Sequence, residues 1–148
     1  MSSSSRFDSP AASIEYMKRV AVKGSGFSNW LDVEPIKVWE GESELMLEIR
    51  PEMTQHHGFA HGAIVGLMAD NACAWAGASA LGDVVTGGYT INFLRPAQGE
   101  RLRAKGSVIK AGKRQAVVRA DVWSEGEGAE PVHVATAQAT IIPTGLGS

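Results

Sequence analysis

The pattern of apolar and polar positions divides the chain into helical segments and a series of strands. Residues 10–22 carry apolar side chains at helical spacing, and Ser9 stands where a helix N-cap is expected. Residues 44–50 alternate between apolar and polar positions, which is typical of a strand with one buried face. The same criteria predict further strands over residues 33–39, 85–94, 101–110, 115–123 and 132–142.

The segment from about His61 to Leu81 is different, because it is apolar on nearly all sides. Between Gly62 and Gly82 its only charged residue is Asp70. A helix of this kind must be covered by other elements over most of its surface. Short turns rich in glycine and proline separate the later strands, so we predict an antiparallel meander in which consecutive strands pair. The chain is therefore expected to be an α+β protein in which a five- to six-stranded antiparallel sheet wraps a long apolar central helix.

Length and composition are typical of one soluble domain. The 148 residues are 44% hydrophobic and 20% charged, and the formal net charge of −2 argues against a nucleic-acid-binding protein. We predict a disordered lead over residues 1–9 and a single domain over 10–148, with a short helix at about 10–22 and a core at about 30–143. The first ten residues lack the apolar region of a secretory signal, and a membrane span with Asp70 at its centre is unfavourable. We therefore expect a cytoplasmic protein.

Asp70 is the strongest candidate for chemistry. A lone carboxylate in such an apolar segment must be hydrogen-bonded, neutralised or used in a reaction. Its helical neighbours at three, four and seven positions are nearly all small, which leaves room for a ligand or for another backbone: Ala63, Gly66, Leu67, Cys73, Ala74 and Gly77. The polar turn over residues 55–62 comes just before the helix, whose first N–H groups are free to bind an anion. A structural carboxylate bonded to neighbouring backbone is the alternative.

Three histidines of this turn raise the question of a metal site. The spacing of His56, His57 and His61 with Asp70 permits one. Glycines interrupt the helix that a pair of histidines four residues apart would need, however, so we predict no metal. His61 is expected to fix the loop through hydrogen bonds. Cys73 is the only cysteine of the chain, and a structural thiol is its expected role.

The motifs occur in an order that resembles a known family. The sequence His61-Gly62-Ala63 is followed by Asp70, then by NFLRPA over residues 92–97, then by a basic hairpin. This order, over roughly residues 30–143, resembles the hot-dog fold acyl-CoA thioesterases of the PaaI and 4-hydroxybenzoyl-CoA thioesterase type. The resemblance implies a hot-dog fold and hydrolysis of an acyl-CoA thioester. Coenzyme A would enter as part of the substrate, and no other cofactor is expected.

The resemblance also assigns roles to residues. It implies that Asp70 acts as nucleophile or as general base on water, and that the backbone N–H of Gly62 stabilises the oxyanion. Gln55, six residues before the histidine of the motif, would hold the thioester, and Thr86 would position the acid or the water. His61 belongs to the same motif. The chemistry needs these groups, because thioester hydrolysis develops negative charge on the carbonyl oxygen and requires an attacking group.

Two departures from the family pattern bear on the site. Ala63 replaces a second glycine that many members carry. Ala74 stands where some members with a catalytic glutamate carry a hydroxyl, and this favours the variant in which an aspartate works with a hydroxyl on a strand. The cationic side chains of a hairpin tip and of the NFLRPA motif are either solvated or contact the phosphates of coenzyme A: Lys110, Lys113, Arg114 and Arg95.

The resemblance further implies a homodimer, often paired into a homotetramer, whose sites are shared across the dimer interface. It favours small or aromatic acyl groups without fixing one. Two other functions remain open. Hydratases and dehydratases of the same fold use a histidine and an acid in another motif, which is absent here. A non-catalytic module that binds acyl-CoA is the second alternative.

Overall fold

The computed structural model describes residues 6–145 and wraps one sheet around one long helix. The helices are α1 (Pro10–Tyr16), which continues as a π-helical turn (Met17–Val22), α2 (Gly26–Leu31), a 3-10 turn (Pro51–Met53) and α3 (Gly62–Leu81). The strands are β1 (Glu34–Trp39), β2 (Glu42–Glu48), β3 (Val84–Phe93), β4 (Arg101–Ala111), β5 (Ala116–Glu125) and β6 (Val132–Pro143). The predicted α+β architecture, a hot-dog fold with six strands around the apolar helix, is confirmed.

The order of strands in the sheet differs from the prediction at one point. The order is β1-β2-β4-β5-β6-β3, and every neighbouring pair is antiparallel. A meander in which β3 pairs with β4 was therefore the wrong expectation. The turn at residues 94–100 does reverse the chain, but it crosses the end of the sheet. There the carbonyl oxygen of Ala97 accepts a hydrogen bond from Ala60 N–H. The backbone of Glu100 accepts from Ile49 N–H, next to the end of β2, and donates to the carbonyl oxygen of Glu125, at the end of β5. Because β4 pairs with β2 on one side and with β5 on the other, it has no free side for β3. β3 therefore pairs with β6 alone and forms one edge of the sheet.

The helix α3 lies directly on the middle of the sheet. Met68, Ala69 and Ala72 are fully buried, and the carbonyl oxygen of Ala72 accepts a hydrogen bond from Ser43 Oγ at 2.6 Å. A Cβ atom at Gly106 of β4 would lie 2.3 Å from that oxygen, so only glycine allows this close approach. Among the described residues α3 alone is long and apolar enough to cross a membrane, but the fold buries most of it.

The N-terminal part adds two features that the sequence pattern did not indicate. At residues 6–9 the structure differs from the predicted lead, because Arg6 N–H donates to Ser79 O at 2.8 Å. Ser9 Oγ accepts from the N–H of Ala12 and caps α1, as the sequence predicts. Residues 1–5 of that lead lie outside the described part. The helix α2 is six residues long, too short to show a period, and Ser28 on it accepts a 3.3 Å hydrogen bond from Asn71.

Candidate active site

The structure brings Asp70 and Thr86 into contact. β3 leaves the end of α3 and runs back along it, so that Thr86 lies beside Asp70, and Thr86 Oγ1 donates to Asp70 Oδ1 at 2.6 Å. The carboxylate is half-buried and forms no ion pair within residues 6–145. A short O–H···O⁻ bond of this kind is charge-assisted and strong. It fixes the carboxylate through Oδ1 and leaves Oδ2 available to contact a substrate or a water molecule.

Small side chains do surround this carboxylate, as the sequence predicts. Gly66 and Gly77 are buried on its face of α3, and the Tyr89 hydroxyl lies 3.1 Å from where a Cβ atom of Gly66 would stand. Cys73 is buried, and this burial, together with the nearby charge of Asp70, raises the pKa of its thiol to about 12. The raised pKa disfavours the thiolate form that a nucleophilic cysteine needs.

The N-terminus of α3 presents an unused donor. His61 is the N-cap, and its Nδ1 accepts from Ala63 N–H at 2.9 Å, while its carbonyl oxygen accepts from the N–H groups of Ile64 and Val65. Gly62 is exposed, and its N–H donates to no acceptor within residues 6–145. The positive end of the helix dipole adds to this donor. His61 thus sets the geometry of the turn, as expected, and leaves one backbone N–H to bind an anion.

Gln55 lies in the same groove as Gly62. This groove has a volume of about 330 Å³, and Phe93 and Arg95 line it as well. The side-chain oxygen of Gln55 accepts from His57 N–H within the loop. Since this bond uses the oxygen of the amide, its NH₂ group remains available to donate to a ligand in the groove.

The structure therefore contains two half-sites rather than one complete site. Asp70 with Thr86 forms the first, and Gly62 with Gln55 forms the second. Asp70 follows Gly62 by eight residues of α3, which corresponds to about 12 Å of helical rise. One chain by itself does not place the acid and the backbone donor on the same carbonyl group.

The four candidate cations fall into two places. Three are exposed at the turn between β4 and β5 and form no ion pair with a described residue: Lys110, Lys113 and Arg114. In the sheet, Ala116 pairs with Ile141, which pairs with Thr86, so this basic turn lies at the same end of the sheet as Thr86. Arg95 lies at the other end, where its guanidinium donates to the carbonyl oxygen of His133 at 3.1 Å.

The remaining histidines are not gathered around a metal position. His56 and His57 are exposed, and their ring centroids are 4.0 Å apart. His133 lies on the outer face of the sheet, where it contacts Asp121 at 2.9 Å and stacks on Trp123. Across residues 6–145 no three metal-ligating side chains come together.

Two aromatic residues next to the half-sites were not singled out from the sequence. Tyr89 and Phe93 point to the helix side of β3, yet they remain 43% and 56% exposed. The ring of Phe93 lies 3.5 Å from where a Cβ atom of Gly62 would stand. Their alternation along the strand places them on one face. It does not indicate that this face belongs to an edge strand that the helix leaves partly uncovered.

Comparison with known proteins places the chain in a family. The model of the thioesterase superfamily matches residues 57–130, which include Gly62, Asp70 and Thr86. A thioesterase family protein from Silicibacter pomeroyi is similar in structure, with 30% identity, a TM-score of 0.81, and coverage of 87% of this chain and 96% of that chain.

Two PaaI proteins are similar as well. A variant of the phenylacetic acid degradation protein PaaI from Thermus thermophilus is 27% identical, with a TM-score of 0.71 over 80% of this chain and 99% of that chain. The PaaI protein of the E. coli phenylacetic acid degradation operon, at 22% identity, shares the fold, with a TM-score of 0.79 over 93% of this chain and 97% of that chain. None of the curated protein sequences compared with this chain matches it significantly. The hot-dog fold, the family match and the 30% identical relative together show that this chain belongs to the thioesterase superfamily.

Proposed function

We propose that the protein is an acyl-CoA thioesterase, which hydrolyses an acyl-CoA to a free acid and coenzyme A. The observation that carries the proposal is the hydrogen bond of 2.6 Å from Thr86 to Asp70. Asp70 lies on α3, and the first N–H group of this helix, at Gly62, has no described acceptor. An anchored carboxylate and a free donor at a helix N-terminus are the two groups that hydrolysis of a thioester requires. Membership of the thioesterase superfamily supports the same reaction type.

In this mechanism Asp70 either attacks the thioester carbonyl carbon or takes a proton from the attacking water. In the first route the C–S bond breaks, the thiolate of coenzyme A leaves, and water hydrolyses the mixed anhydride formed with Asp70; in the second, water adds to the carbonyl carbon and the same thiolate leaves and is protonated. Thr86 holds the carboxylate in position. The negative charge that develops on the carbonyl oxygen is stabilised by the Gly62 N–H and by the helix dipole. Gln55 would orient the thioester through its NH₂ group, and His61 would keep the helix start in the shape that exposes the donor. Coenzyme A enters as part of the substrate, and the scheme uses no other cofactor.

The proposed active unit is a homodimer, since each chain supplies two separate half-sites. β3 offers a surface for this, because it pairs with β6 on one side and with no described strand on the other. Its ten residues contain no charge and no proline, the usual protection of an exposed edge strand. Antiparallel pairing of two such edges about a twofold axis would bring Asp70 of one chain towards Gly62 of the other. We further propose that two dimers form a homotetramer and that the protein is cytoplasmic.

The phosphates of coenzyme A would be bound by the exposed cations. The basic turn with Lys110, Lys113 and Arg114 has charge without an intramolecular partner among the described residues, which favours an external anion. Arg95 lies beside the Gly62 half-site. In a dimer it would therefore approach the ligand from the opposite chain.

The first experiment tests the acid. Asp70→Asn should fold normally and lose about 10²–10⁴ of kcat for acyl-CoA hydrolysis, measured by release of the free thiol. Asp32→Asn is the matched control, because the Asp32 side chain is exposed and its backbone has a left-handed conformation, which asparagine tolerates. Near wild-type turnover by Asp70→Asn would contradict the proposal. Binding of acyl-CoA without any hydrolysis by the wild-type protein would instead indicate the non-catalytic module.

The second experiment tests the backbone donor. Gly62→Pro deletes the N–H at the first position of α3, where proline is tolerated, and His61 before it is already extended at ψ 141°. The loss of one oxyanion donor should lower kcat by about 10²–10³. Gly62→Ala keeps the N–H, and its methyl group would meet only the Phe93 ring, at 3.5 Å. Equal activities of the proline and alanine variants would argue against this role for the N–H.

A further inference from the structure

A second cavity lies on the other side of Asp70, away from Gly62. Its volume is about 500 Å³, and its walls come from α1, the π-helical turn, the second half of α3 and the start of β3. Most of its lining is apolar, with Met17, Val20, Trp75 and Ala78 among the contributing side chains. This size and lining are typical of a site for a small apolar ligand.

Asp70 and Thr86 do not line the cavity, but two residues of its wall are near neighbours of this pair along α3 and β3. Ala74 lines it and lies one helical turn beyond Asp70 on the same face of α3. Val84 also lines it and lies two residues before Thr86, on the same face of β3. A group that extends from the carboxylate in this direction would enter the cavity between Ala74 and Val84.

The N-terminal segment lines the end of this cavity that is far from Asp70. The ring of Phe7 packs against the ring of Tyr16 with centroids 5.4 Å apart, and both residues line the cavity. The hydrogen bond from Arg6 N–H to Ser79 O fixes the segment on α3. The wall from Met17 to Ala21 is a π-helical turn, a rare conformation that is frequent at functional sites.

We propose that this cavity binds the acyl group of the thioester and selects an apolar acyl chain of medium length. The inference rests on the proposed function, since the acyl group must start at the carbonyl beside Asp70. From Asp70 to Ala78 the helix rises about 12 Å, roughly the extended length of an acyl chain of eight to ten carbons. Short acyl groups would leave the cavity partly empty, and much longer ones would reach Phe7 and Tyr16.

The pantetheine arm of coenzyme A is the other part of the substrate that could occupy the cavity. That arm is polar, with two amide groups, whereas the cavity lining is mainly apolar. Pantetheine is also identical in every acyl-CoA. A cavity that binds it would affect all acyl lengths equally, and this difference separates the two occupants experimentally.

The test measures kcat/KM for a series of straight-chain acyl-CoA substrates from acetyl to dodecanoyl, with phenylacetyl-CoA alongside. In the wild-type protein, each methylene that enters the cavity should raise kcat/KM about fourfold, up to about octanoyl. Ala78→Phe fills the cavity from α3 and should lower the ratio of octanoyl to butanoyl kcat/KM by about 250-fold, the contribution of four methylenes. Val20→Trp fills it from the half-exposed opposite wall and should act in the same direction.

Ala12→Phe is the matched control, because it adds the same ring at an exposed position of α1 outside the cavity and should leave the ratio unchanged. A ratio that neither filling variant changes, or a loss that is equal at all acyl lengths, overturns the proposal. Calorimetric binding of octanoate gives a readout without turnover. Octanoate that binds the wild-type protein and not Ala78→Phe supports the cavity even if no thioester is hydrolysed, an outcome that would defeat the proposed function alone. Equal octanoate binding by both proteins overturns the inference.

Discussion

Replacing Thr86 with valine removes one hydroxyl and keeps a β-branched side chain that suits a strand. The hydroxyl donates at 2.6 Å to the Asp70 carboxylate, and a hydrogen bond to a charged group contributes about 1.5–3 kcal/mol. If this bond positions the carboxylate for reaction, its loss raises the barrier by a similar amount. Since about 1.4 kcal/mol corresponds to a factor of ten, kcat should fall by roughly 10- to 100-fold. KM should change little, because Thr86 contacts Asp70 rather than the substrate.

The assay compares kcat and KM of Thr86→Val with those of two other variants. Thr86→Ser restores the hydroxyl and should recover most of kcat. Thr90→Val makes the same change on the outer face of β3, where the side chain is exposed and faces away from α3, and should leave kcat unchanged. Thermal unfolding of all three variants checks that the folded state persists.

Three results would contradict this role for the hydroxyl. Wild-type kcat in Thr86→Val would mean that the hydrogen bond does not matter for the reaction. A similar fall in Thr90→Val would assign the effect to the strand rather than to the hydroxyl. Failure of Thr86→Ser to recover activity, in a stably folded protein, would separate the effect from hydrogen bonding.

The half-sites, the basic turn and the contact between α3 and β4 can each be tested as well. Mixing Asp70→Asn with Gly62→Pro should regenerate about one quarter of wild-type activity through hybrid dimers with one intact site; no recovery, with hybrids shown by native mass spectrometry, would place each site within one chain. Lys113→Glu combined with Arg114→Glu should raise KM for acyl-CoA at nearly constant kcat, but not KM for an acyl-pantetheine substrate, and an equal rise for both would exclude the phosphate role. Gly106→Ala should lower the free energy of unfolding in urea by about 1–3 kcal/mol, since its methyl group would lie 2.3 Å from a carbonyl oxygen of α3; an unchanged midpoint would contradict this.

Local patterns in the sequence were enough to place the elements and the chemistry at short range. Strand alternation and the nearly uncharged segment from Gly62 to Gly82 predicted five or six strands and the long helix, with boundaries close to those observed. Signals of this kind are sufficient because periodicity and caps depend on neighbours a few residues apart. Asp70 is the only charged residue of that segment, and this alone indicated that it is a candidate for chemistry. In the structure its carboxylate accepts a hydrogen bond from the Thr86 hydroxyl.

Which distant parts of the chain meet was set by the fold as a whole. The pairing of β3 with β6 instead of β4, and with it the contact of Thr86 with Asp70, depends on how the sheet closes around α3. The cavity of about 500 Å³ under residues 6–21 arises in the same way, because the N-terminal segment packs on the end of a helix far along the chain. Pairing between strands and packing between distant segments are set by total burial over the whole fold. A segment of a few residues contains no information about that total. The sequence pattern therefore identified the candidate functional groups, and the tertiary structure determined the distances between them.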